Sequence, residues 1–153
     1  MTRDQINHAL SSAIRSLIER DFHLLSVDVS ERCLTHRLAL YLTQGLSDYD
    51  VDCEYNRDGF DVKRLALSER PARDDDVEAV TVFPDIVVHR RGNNEHNLLV
   101  IEMKKYGART APDYDIQKLK AFRSELRYNF AAHVIIGVDR AGKPVSNISW
   151  IDS

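Results

Sequence analysis

The stretch VFPDIVVHRRGNNEHNLLVIEMKK, Val82 to Lys105, decides the fold. It holds two β-prone runs, Ile86 to His89 and Leu98 to Met103. Between them lies Gly92-Asn93-Asn94, a turn signal that can supply positive-φ backbone, so the reading is a β-hairpin. Strand side chains alternate: Leu98, Val100, Glu102 and Lys104 share one face, and Leu99, Ile101 and Met103 the other. Asp85 opens the first strand just after Pro84, where a missing N–H is tolerated. It precedes Glu102 by 17 residues, enough for two strands and a short turn, so the hairpin can bring Asp85 to Glu102 and Lys104.

Two carboxylates and an ammonium at the end of an apolar hairpin are costly to bury without a partner or a metal. A hard cation such as Mg²⁺ takes carboxylate and carbonyl oxygens and keeps several waters. A lysine beside it can stabilise charge on a phosphate or orient an attacking water.

Pro84-Asp85 and Glu102-Met103-Lys104, placed on two predicted strands with helices in the matching order, resemble the motif of the PD-(D/E)XK nuclease superfamily. The resemblance implies an α/β fold, a restriction-endonuclease-like α-β-α sandwich whose central mixed sheet has about four to five strands flanked by helices. It implies that Asp85, Glu102 and the carbonyl of Met103 hold Mg²⁺ or Mn²⁺, and that Lys104 orients the nucleophilic water. The implied activity is metal-dependent hydrolysis of phosphodiester bonds in DNA or RNA. One rival reading is a catalytically silent protein of the same fold that binds nucleic acid or protein; another takes Glu102 and Lys104 as a same-face strand ion pair in an unrelated α/β protein.

The remaining segments are read around this hairpin. Thr2 to Leu25 has Ile6, Leu10, Ile14, Leu17 and Ile18 at helical spacing and reads as an added packing helix. Ser30 is an N-cap for a second helix to about Gln44, with Gly45 as its C′ residue. Glu31 lies one turn before Leu34, on the buried stripe. Two readings of it stand side by side: an acid favoured by the helix N-terminus, or a carboxylate aimed at the metal site, as the resemblance implies. Val51 to Arg57 alternates as a half-buried strand, with Asp52 and Glu54 on a solvated face, although Glu54 can also face the cleft. Phe60 to Glu78 reads as a loop, with Asp74-Asp75-Asp76 a solvated run and a basic part that can approach nucleic acid.

His89, Arg90 and Arg91 read as a solvated hairpin tip or as phosphate contacts. A helix starting at Asp113 or Asp115 runs to about Asn129, with Ile116, Leu119, Phe122 and Leu126 on its apolar side. Gln117 and Lys118 belong either to a wet basic face or, by the resemblance, to the assisting polar residues of the site. Ala131 to Val138 is apolar on both faces, as an interior strand covered by helices should be, and looks like the end of a right-handed βαβ crossover. Val145 to Ile151 is a final short strand, with Trp150 as a packing anchor.

The length, 153 residues, suits one domain, with a core over about 30–139. A net charge of −3 argues against a general nucleic-acid coat protein but leaves a nuclease open, because an acidic metal site can coexist with local basic patches. No apolar run approaches bilayer length, and Met1 to Gln5 lacks an apolar signal core. Cys33 and Cys53 have no zinc-type spacing and are expected as buried free thiols in a reducing cytoplasm. A nuclease cutting both strands of a duplex would often need two sites, hence a homodimer. No G-x-S-x-G motif supports a serine hydrolase.

Overall fold

The computed structural model describes residues 1–58, 61–62, 64–65, 80–81, 83–108 and 112–152. In chain order the elements are α1 (Arg3–Arg20), α2 (Phe22–Ser26), α3 (Glu31–Gly45), β1 (Asp50–Cys53), β2 (Arg57–Asp58), β3 (Asp61–Val62), β4 (Arg64–Leu65), β5 (Val80–Thr81), β6 (Ile86–His89), β7 (Leu99–Lys105), α4 (Pro112–Leu126), β8 (Phe130–Val138) and β9 (Pro144–Trp150).

The predicted hairpin is the centre of a five-stranded mixed sheet in the order β1-β6-β7-β8-β9. β6 and β7 are antiparallel, with Ile86 opposite Ile101, and Gly92 takes a φ of 94° in the connection. β7 and β8 are parallel, and α4 makes the crossover that a parallel pair requires. All of β6 and the first five residues of β7 are buried, because helices cover both faces of the sheet. Ile86, Val88, Leu99, Ile101 and Met103 pack with Leu10 and Leu17 of α1 and Leu38 and Leu42 of α3. Val87 and Val100 pack with Leu119, Phe122 and Leu126 of α4. This is an α/β sandwich. Leu98 departs from the alternation read in the sequence: it lies before β7 begins and joins the α1/α3 core.

The first predicted helix is two helices. Thr2 caps α1 in a capping box with Gln5, and the apolar stripe runs through Leu17. The chain then breaks at Asp21, whose carboxylate accepts hydrogen bonds from Arg37 Nε at 2.8 Å and from the Tyr41 hydroxyl at 2.7 Å. Burial pulls the Asp21 carboxyl up, but those hydrogen bonds outweigh it and hold the group below the usual aspartate value. Asp21→Ala should therefore lower stability by about 1–3 kcal/mol in urea unfolding at pH 7. The lowered value gives Asp21 a contribution that is full above the unfolded aspartate pKa and is lost as pH falls through the folded one. The loss on mutation should shrink on acidification, and a loss that stays constant down to pH 2 would contradict this assignment.

Ser30 caps α3 as expected, its Oγ accepting from the Cys33 N–H at 3.3 Å. Gly45 ends inside the helix, and Leu46 is the cap. At the outer edge, Asp52 is not solvated: it accepts from Arg91 and lies 2.9 Å from His89 Nε2. His89 is buried at 2 % exposure, so the hairpin tip is tied to β1 by charge instead of being left to solvent. Neither cysteine is buried: Cys33 is half-buried on α3, and Cys53 is exposed, because β1 ends there and the sheet edge opens. Trp150 is half-buried against Phe130, and Arg3 lies over its ring.

The segment Phe60 to Glu78 is not loop throughout: β3 pairs with β2 and β4 with β5 in two short antiparallel ribbons, and Leu65 is buried in the α4 core, while Asp74-Asp75-Asp76, Lys63, Arg70 and Arg73 lie outside the described residues. Among the described residues, no helix is long and apolar enough to cross a membrane.

Candidate active site

β7 outruns β6. The last β6 partner is Ile86, opposite Ile101, so the N–H groups of Met103 and Lys105 face an edge without a strand. Two carboxylates take them: Asp85 Oδ2 accepts from Met103 at 2.7 Å, and Glu31 Oε2 accepts from Lys105 at 3.2 Å. A strand residue turns its N–H and C=O to the same side, so the Met103 carbonyl opens beside Asp85. Pro84 and the Asp85 side chain thus end one strand while satisfying the next. The first turn of α3 places Glu31 on the same edge.

Glu102 and Lys104 lie on the α4 side of β7, with Val100, as alternation requires. Glu102 is 2 % exposed, and its Oε1 stands 2.9 Å from Lys118 Nζ. Lys118 also donates to the Phe83 carbonyl at 2.6 Å. Lys104 Nζ lies 3.1 Å from Glu31 Oε1 and 3.6 Å from Asp115 Oδ2. Asp115 and Lys118 are three residues apart on α4 and so reach the sheet together. On β8, His133 stands opposite Glu102, with Nε2 3.8 Å from Asp115 Oδ2.

The electrostatics follow from this crowding. Burial first, then the Asp85 charge, push the Glu102 carboxyl up to about 8, against the pull of Lys118. Burial also raises Asp85, only partly offset by the Met103 N–H and by Lys118 and Lys104. Burial pulls Lys104 down, but the Glu31 hydrogen bond and the charges of Asp115, Glu31 and Asp85 outweigh it and leave the ammonium above its usual value. Burial works against the Asp115 charge too, and the contact with His133 and the charge of Lys104 override it.

Beside the site lies a cleft of about 340 Å³ lined by Glu31, Arg32, Thr35, His36, Cys53, Glu54 and Asp85. Glu54 comes after β1 ends, with a φ of 50°; its N–H donates to the Asp85 carbonyl at 3.3 Å, and its carboxylate pairs with Arg32 at 3.0 Å. Although Cys53 is exposed overall, the protein around its thiol partly desolvates it, and with the Asp52, Asp85 and Glu54 charges this pushes the thiol up to about 11, so it stays protonated at neutral pH.

Of the residues singled out in the sequence, Asp85, Glu102, Met103, Lys104, Glu31 and Lys118 meet at one end of the sheet, and Glu54 borders the adjoining cleft. Gln117 does not join them. One position before Lys118, it is turned about 100° around α4 and is exposed, with no hydrogen bond or ion pair among the described residues. Asp115 and His133 escaped the sequence reading as site residues. An acid in the first turn of a helix looks like a dipole partner, and a histidine in an apolar strand looks like core.

Four carboxylates (Glu31, Asp85, Glu102, Asp115) meet two ammonium groups (Lys104, Lys118), which leaves a formal excess of two negative charges before His133 is counted. Protons on the raised carboxyls or a divalent cation can offset that excess. Among the described residues, no three His, Cys, Asp or Glu side chains form a cation cage by themselves. Mg²⁺ does not need one: one or two carboxylates, a carbonyl and waters suffice. Asp85, Glu102 and the Met103 carbonyl fit that donor set. No family model, curated protein or solved structure matches the chain.

Proposed function

We propose that the protein is a metal-dependent nuclease that hydrolyses phosphodiester bonds of DNA or RNA, of the restriction-endonuclease-like, PD-(D/E)XK type. The observation that carries this reading is the meeting of Asp85, Glu102 and Lys104 at the end of β7, with an acidic excess in a largely buried setting. Asp85, Glu102 and the Met103 carbonyl would hold Mg²⁺ or Mn²⁺, and Glu31 would serve a second ion. When bound, the cation supplies positive charge to the reacting phosphate. Lys104 orients the attacking water and offsets the negative charge that grows on the phosphate oxygens. Lys118 holds the Glu102 carboxylate in place. Hydrolysis forms one P–O bond from water and breaks the P–O bond to the leaving alcohol.

A second reading draws on the ion pairs. Lys104 and Lys118 already face Glu31, Asp115 and Glu102, so a silent member of this fold could satisfy its charges without a cation and act as a binding module for nucleic acid or protein. The two readings divide on a cheap pair of measurements. A panel of single- and double-stranded DNA and RNA is incubated with Mg²⁺, Mn²⁺ or chelator, and Mn²⁺ is titrated calorimetrically. Cation-dependent cleavage with measurable Mn²⁺ binding supports the nuclease. No Mn²⁺ binding together with no cleavage supports the silent module.

A further inference from the structure

Lys104 is held from two sides by unequal partners. Glu31 is the nearer, but its side chain is 32 % exposed, and its other oxygen already caps the Lys105 N–H. Asp115 is 10 % exposed at its side chain, and a charge pair in such a setting is screened less by water. The oxygen that faces Lys104, Oδ2, also faces the His133 ring nitrogen. His133 is buried at 6 % exposure; at 3.8 Å its Nε2 lies within ion-pair range of Asp115 Oδ2 but beyond hydrogen-bond reach, and among the described residues it has no hydrogen-bond partner. A buried, unmatched ring nitrogen is costly in a core strand. Its position opposite Glu102 puts that cost beside the site and not in the apolar interior.

Resting on the nuclease reading, we propose that Asp115, backed by His133, is a positioning residue that keeps the Lys104 ammonium aimed at the reacting phosphate. Asp115 reaches Lys104 from α4, across the sheet end from α3, so the ammonium is held between side chains of two different helices. Gln117 and Lys120, on the exposed side of the same helix, have no part in it.

The test compares wild type with Asp115→Asn, Asp115→Glu and His133→Gln. Asp115→Asn should lower kcat by about 10- to 100-fold, the range for partners that orient a site residue. KM and calorimetric Mn²⁺ affinity should stay at wild-type values, Asp115→Glu should recover part of the rate, and His133→Gln should fall between. In a Lys104→Ala background the Asp115→Asn change should have no further effect, because the two act as one unit. A readout independent of cleavage is the rate at which an amine reagent labels Lys104, followed by peptide mass spectrometry. It should rise several-fold in Asp115→Asn and stay unchanged in a Gln117→Ala control. Asp115→Ser takes the place of the Asn variant if the latter loses cooperative unfolding. An unchanged kcat, a fully additive double variant or wild-type labelling would each overturn the proposal. A wild type that cleaves nothing overturns the nuclease reading alone, and the labelling rates then decide the positioning role.

Discussion

On the nuclease reading, a Lys104→Ala protein should lose phosphodiester hydrolysis by roughly 10²–10³-fold or more, the scale for removing one preorganised charge from a transition state, and should keep its fold. The fold survives because each partner retains another contact. Glu31 keeps the Lys105 N–H, and Asp115 keeps His133 and the field of Lys118. Lys104 itself is only half-buried at the strand end, outside both apolar clusters. Asp85→Ala should reach the same loss by another route: it removes a candidate cation ligand and leaves the Met103 N–H without its acceptor. Initial rates with Mn²⁺ on the best substrate of the panel, set beside urea unfolding of each variant, check both. Undiminished cleavage by a contaminant-free Lys104→Ala preparation would sink the assignment.

The second large effect concerns Glu102 and pH. Its carboxyl is raised from 4.5 to about 8, so between those values the folded protein holds a proton that the unfolded chain has released. Stability therefore falls as pH rises through that window. The full shift corresponds to at most about 4–5 kcal/mol. In chelator, the wild type should be more stable at pH 5 than at pH 8, and Glu102→Gln, which stays neutral, should have a markedly shallower slope. Mn²⁺ should restore the wild type at pH 8 and do little for Glu102→Gln. Chemical unfolding at four pH values with and without Mn²⁺ measures all of this. Parallel slopes for the two proteins would show that Glu102 is already ionised in the free protein.

The hairpin and its two faces were readable because alternation, a glycine turn and a proline-opened strand agree with one another. Lys118 was readable only through the resemblance, which offered Gln117 on equal terms; rotation around α4 separates them. Asp115 and His133 owe their meeting to the parallel register of β7 and β8, which no local pattern encodes. The break at Asp21 was hidden because apolar residues continue through Leu24 and Leu25, and only a distant arginine and tyrosine on α3 make the break favourable. Asp52 read as solvated for the same reason: its partners, His89 and Arg91, come from a strand that the alternation of β1 does not mention.

The two carboxylates that accept the Met103 and Lys105 amides have one more consequence. An unpaired stretch of backbone beside a hydrophobic sheet is a template onto which another polypeptide can add. Asp85 and Glu31 deny that template to neighbouring copies, so neutralising both at once leaves the molecule prone to self-association. A loss of colloidal solubility would then accompany the loss of hydrolysis expected on the nuclease reading, with one cause behind both.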